Sequence, residues 1–318
     1  MRRANFIYPF LGIQLLAVAA MAMEFSASSV YRSDAPGIMN LQMIWESGPF
    51  WRVAFLVCGV IMPLGGINLM KQELEDGNHE LLLIASLNRW SVVRGKFFVL
   101  WAVNVLVLVS LLPYVVVRYF IGGVEMWQEF VCTLTVVGTS AIVSAGSLGA
   151  AGYKTIGGRI LVLASYLLTF LASGMIILGS SAAVSSRNQL KFSVFFNANA
   201  LGFILCYTIM GLTICRSRLI LEVRAYEIKP SRVLIGLLFF APFLSGFAAA
   251  VSCGNLGIIG LIIVVVACVR SDVTLKTKMP TNPSGLNFSK LRSIPPVGFS
   301  SDRAAPLPQT AEEQANQT

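Results

Sequence analysis

Long uninterrupted apolar runs constrain this chain more than anything else in it. A helix needs about 20 mostly apolar residues to cross the hydrocarbon core of a bilayer, and such runs occur at 6–23, 53–70, 97–117, 130–151, 160–184, 194–215, 233–251 and 253–269. With 56% hydrophobic and only 12% charged side chains, the sequence belongs with membrane proteins and outside soluble folds. It predicts an all-α, polytopic transmembrane helix bundle of about eight spans.

The charges fit that division. All 24 basic and 15 acidic residues fall between the runs or at their ends, as the cost of an ion in lipid requires. With both termini cytoplasmic, Lys and Arg collect at 2–3, 71–96, 154–159, 216–232 and from 270 onward, leaving only Arg32, Arg52, Arg118, Arg187 and Lys191 outside. The same rule makes 233–269 cross twice, turning near Ser252-Cys253-Gly254-Asn255. Trp45, Trp51 and Trp127 then fall at the outer boundary, Trp90 and Trp101 at the inner one. The net charge of +9 is spread over several loops, which suits anionic headgroups of membrane lipid rather than nucleic acid.

Other segments are read by composition. Arg2-Arg3, an apolar stretch and Ala20-Met21-Ala22 also fit a cleaved secretory signal, but the length of 6–23 favours a retained first span. The six cysteines lie in or beside spans without a C-x-x-C pair, the pattern of small packing residues. The domain plan is a transmembrane unit over 1–270, comprising a six-span core 1–215 and a C-terminal hairpin 233–269, followed by a disordered cytoplasmic tail 271–318 rich in Pro, Ser, Asn and Gln.

Within the spans, Ala141, Ala145 and Gly149 recur at i, i+4 and i+8 and predict close approach of another helix. Pro63 with Gly65-Gly66, and Pro113, predict kinks. Asn104, Thr133, Asn197 and Asn199 are candidates to line a pathway, the alternative being hydrogen bonds to neighbouring helices. Residues 216–232 have the face of a helix lying at the inner interface. Arg118, at the outer end of the third span, stays charged and is free to attract an anion.

Between the second and third runs lies QELEDGNHELLLIASLNRWSVVRGK, residues 72–96, with four acids and the only histidine. Asn78 can cap a short helix with Glu80 in its first turn, and Ser91 can cap the helix that enters the membrane after Arg94 and Lys96. From residue types alone this is either an interfacial helix anchored by leucines or a docking knob for a cytoplasmic partner. The segment resembles the loop after the second span in ABC-2-type permeases, the membrane subunits of one class of ABC exporter. Gly77, Glu80, Leu82, Gly95 and Lys96 match that pattern; Asn78 stands where Thr is common and Leu87 where Pro is common. The resemblance implies an ATPase-coupling segment of Gly77, Asn78, Glu80, Leu81, Leu82, Arg89, Gly95 and Lys96, seated on a separate ABC ATPase subunit. It also implies a homodimer or a pair with a related permease, in the cell (inner or plasma) membrane.

No G-x-x-x-x-G-K-[ST] loop is present, so ATP belongs to the partner subunit and no cofactor is expected on this chain. Every Asp and Glu falls in a loop, a tail or a span end, which argues against a proton taken up within the bundle. The expected function is thus the permease subunit of an ATP-driven exporter. A membrane-embedded enzyme is the alternative, although His79 sits alone in a charged loop; a membrane scaffold is the third reading.

Overall fold

The computed structural model describes residues 4–26, 37–67, 89–122, 125–153, 155–187, 194–218, 233–254 and 256–274. All the regular structure among them is helical. The elements are α1 (Ala4–Ser26), α2 (Leu41–Glu46), α3 (Pro49–Leu64), α4 (Arg89–Gly122), α5 (Met126–Ala151), α6 (Ile156–Arg187), α7 (Val194–Arg218), α8 (Val233–Val251) and α9 (Gly257–Thr274). They belong to one unit, Met1–Lys276; Thr277–Thr318, most of the expected tail, lies outside the described residues.

Six of these helices, α1 and α4 to α8, are long and apolar enough to cross a membrane. This corrects the count of about eight. The second and eighth expected spans fall on shorter apolar helices, Pro49–Leu64 and Gly257–Ser271. At 1.5 Å per residue these reach about 24 Å and about 22 Å, short of a core of about 30 Å. Within α3, α-helical geometry widens to a π-helix over Phe55–Ile61, and a turn follows at Gly65. The expected C-terminal hairpin is present, turning at Cys253 and Gly254, both at positive φ, but its second arm is the short one.

Helix α5 is the centre. Over its apolar window 83% of residues are buried, against 22–28% for α1, α4, α6 and α8. Its side chains explain why: from Gly138 to Ala151 eleven of the fourteen are Gly, Ala, Ser or Thr, so other backbones can approach closely. A Cβ on Gly211 of α7 would lie 2.8 Å from the Ala145 carbonyl carbon, and one on Gly149 would lie 3.0 Å from the Gly211 oxygen. Gly146 leaves room for the ring of Tyr166 from α6. The predicted close-packing face is therefore real, and it serves α7.

Lipid offers no hydrogen bonds, so buried hydroxyls bond within the bundle. Tyr166 Oη donates to the Tyr207 carbonyl at 2.8 Å, and Tyr207 Oη lies 2.8 Å from the Thr169 carbonyl and 2.7 Å from Ser173 Oγ. Ser147 Oγ donates to the Pro63 carbonyl at 2.8 Å, near the end of α3. The outer helices follow one-sided burial. Leu234, Leu238, Ala241, Ser245 and Ala249 form the buried face of α8, while Phe240, Phe243 and Phe247 face outward, the side that acyl chains cover.

Gly211→Ala is expected to cost about 1–3 kcal/mol, because the new methyl meets Ala145 backbone that cannot step aside. Gly236→Ala, where a Cβ meets nothing within 4 Å, is the control and should be neutral or slightly stabilising. Thermal unfolding of both variants in detergent checks the pair.

Candidate functional site

Three helix ends and one turn meet at the most heavily charged buried place among the described residues. Arg118, 1% exposed near the end of α4, lies between Glu24 of α1 and Glu129 of α5, themselves 9% and 4% exposed. Arg118 Nε and Nη2 both donate to Glu24 Oε1, at 2.9 and 2.6 Å, and Nη1 donates to Glu129 Oε1 at 2.6 Å. Nη2 also donates to the Ser47 carbonyl. Trp51 Nε1 donates to Glu129 Oε2 at 2.8 Å, and the guanidinium stands 5.5 Å from the ring centre of Phe50. Only Arg offers the planar fork that can serve two carboxylates and a carbonyl at once.

The turn between α2 and α3 is shaped for this contact. Gly48 has φ of 101°, and a Cβ there would come within 3.1 Å of the Glu24 carboxylate. Ser47 is held by Gln128 Nε2, which donates to its Oγ at 2.8 Å, and its hydroxyl lies 3.3 Å from Cys132 Sγ. Farther up the chain, the Ile38 amide donates to Asn197 Oδ1 at 3.1 Å and the Met39 amide to Thr135 Oγ1 at 2.9 Å. Ile38, Met39, Met43, Ile44, Phe50 and Trp51 are all buried. The described part of the expected outer loop 24–52 is thus folded into the bundle. Trp51 is a core residue with 0% exposure rather than an interfacial one.

Of the expected pathway residues, Asn104 is buried and its Nδ2 donates to Ser144 Oγ at 3.2 Å, joining α4 to α5. Thr133 Oγ1 donates to the Glu129 carbonyl of its own helix at 2.9 Å. Asn197 ties α7 to residue 38, and Asn199 is buried on the same helix. The four lie on three helices, α4, α5 and α7. In the expected coupling segment, Gly77, Asn78, Glu80, Leu81 and Leu82 lie outside the described residues. Arg89, Gly95 and Lys96 fall on the first two turns of α4. There the Trp90 ring lies under two guanidinium groups, Arg94 at 5.3 Å and Arg216 of α7 at 5.5 Å. Among the described residues no three of His, Cys, Asp and Glu gather as metal ligands would.

One sequence expectation is corrected here. Arg118 is not open to an anion, because Glu24 and Glu129 already occupy its guanidinium. Those two carboxylates sit at span ends as expected, and there they are buried and paired. The sequence carried only part of the signal: Glu24, Arg118 and Glu129 all fall at the end of the bundle assigned to the outer face, where ions on apolar helices need partners, but it did not say that they partner one another.

Arg118→Met should leave two buried carboxylates without their cation and cost about 3–5 kcal/mol, read as lost thermal stability and poor recovery of monodisperse protein. Trp51→Phe removes one hydrogen bond to a charged acceptor and should cost about 1.5–3 kcal/mol.

Comparison with known proteins finds no matching family model, no similar curated protein and no similar solved structure. On its own residues, the chain is a multi-pass, all-α membrane protein of about six apolar spans, with a buried Glu-Arg-Glu cluster at one end of the bundle.

Proposed function

We propose that the chain is a membrane-spanning permease subunit of an ATP-driven exporter of the ABC-2 type, coupling a separate ATPase subunit to movement of a substrate across the membrane. The observation that carries this reading is the match of residues 75–96 to the ABC-2 pattern, whose Gly95-Lys96 pair falls at the start of α4. That helix has 34 residues, about 50 Å at 1.5 Å per residue, longer than the roughly 40–45 Å of a whole bilayer. Its charged first turns therefore extend past the hydrocarbon, where a cytoplasmic subunit can reach them.

The geometry of α4 also supports a coupling role. Its first turns meet α7 through Trp90, and its far end carries Arg118, about 42 Å away along the axis. A push on the first turns of α4 would reach α7 at one end and the Glu24–Arg118–Glu129 cluster at the other. The working unit would be two permeases, identical or related, with two ATPase subunits, in the inner or plasma membrane.

Two measurements test this. Although short, α3 runs from Trp51 beside Glu129 to Pro63 beside Ser147, near the other end of α5, and so brings the chain to the opposite end of the bundle. A single cysteine at position 78, in a cysteine-free background, should therefore be labelled from the cytoplasmic side and one at position 188 from the opposite side; external labelling of position 78 removes the docking role. Glu80→Ala and Leu82→Ala should each lower recovery of an ATPase subunit encoded by a neighbouring gene about tenfold, the size of a ~1.4 kcal/mol contact. Membrane insertion should be unchanged. Unaltered recovery in both variants overturns the coupling assignment.

A further inference from the structure

Charge in the Glu24–Arg118–Glu129 cluster does not balance. Two carboxylates converge on one guanidinium, and the titratable or charged groups facing the site are Glu24 from α1, Arg118 from α4, and Glu129 and Cys132 from α5. The α2–α3 turn contributes Ser47, Phe50 and Trp51, none of them charged. Three of the four carboxylate oxygens are matched by donors: Glu24 Oε1 and Glu129 Oε1 by Arg118, and Glu129 Oε2 by Trp51. The fourth, Glu24 Oε2, is buried without a hydrogen-bond partner, and it alone is so among the described residues.

We propose that this cluster is a proton-binding site, holding one proton shared between Glu24 and Glu129. An ionised oxygen buried without a donor is costly, and two carboxylates in one apolar site do not both ionise readily. A proton taken from water at that end of the bundle forms one carboxyl O–H bond, leaving a neutral acid beside one carboxylate–guanidinium pair. The proton belongs to the pair rather than to either residue. A metal ion is a poorer answer, because hard cations draw about six or more oxygens and only two acids meet here. Loss of the proton adds a negative charge that Arg118 cannot neutralise, and Arg118 is also what holds the Ser47 carbonyl. The site therefore makes the fit of the buried turn between α2 and α3 depend on pH, independently of any ATPase partner.

The test uses the full chain in lipid nanodiscs. Infrared difference spectra at pH 7 should show a protonated-carboxyl C=O band in the unmodified chain that is lost in both Glu24→Gln and Glu129→Gln, since either change leaves a balanced one-to-one ion pair. Absence of the band from the unmodified chain, or its retention in either variant, overturns the proposal. A second readout needs no variant. The native state holds a proton that the unfolded chain lacks, so raising the pH should remove the band and lower the thermal midpoint together; loss of the band with an unchanged or higher midpoint also overturns it. Exchanging sodium for choline at constant ionic strength should alter neither reading, and a sodium-dependent shift would reassign the site to an alkali cation.

Discussion

Close approach of helix backbones around α5 is the condition for everything else in this bundle. Lipid tails are as apolar as leucine, so no hydrophobic gain draws one spanning helix to another, and packing must come from shape and from internal polar contacts. The run of Gly, Ala, Ser and Thr from residue 138 to 151 supplies the shape. It lets Gly211 sit against the Ala145 backbone and the Tyr166 ring against Gly146. A helix of leucines at this position would hold α6 and α7 several ångströms farther out and part the hydrogen bonds between Tyr166, Tyr207 and Ser173.

Once α5 is central, its first turn becomes a buried place, and the charges there need internal partners. Glu129 lies on that turn, facing Trp51 and Arg118, and the ends of α1 and α4 bring Glu24 and the guanidinium to it. The cluster thus fastens the turn between α2 and α3 into the bundle, through the Ser47 carbonyl and the Trp51 indole. Removing one partner of a buried ionic group is far more damaging than the net stabilisation of the intact group suggests. The cluster accordingly sets the arrangement of this end of the bundle more than its overall stability.

At the other end of α4 the chain carries the residues that resemble an ABC-2 coupling segment. One long helix therefore joins the end that carries Arg94 and Lys96 to the buried ionic site. Trp90 between Arg94 and Arg216 holds the first end to α7, and Arg118 holds the second to α1 and α5. A helix with contacts at both ends can carry a displacement, because packed interfaces shift between discrete arrangements rather than deforming continuously.

The sequence by itself determined the helical class, most of the spans and the small-residue face of α5, because each follows from a local property: run length, period or side-chain size. The turn at Cys253-Gly254 was legible for the same reason, since basic residues on both flanks of 233–269 demand a reversal. What only the tertiary structure decided was which helix ends meet. Glu24, Arg118 and Glu129 are up to 105 positions apart, and nothing local says that they share one site or that Trp51 leaves the interface for the core. The shortening of the second and eighth spans was equally hidden, because hydropathy reports what a segment tolerates around it. Where α3 widens into a π-helix is a matter of its backbone geometry against α5, which composition does not record.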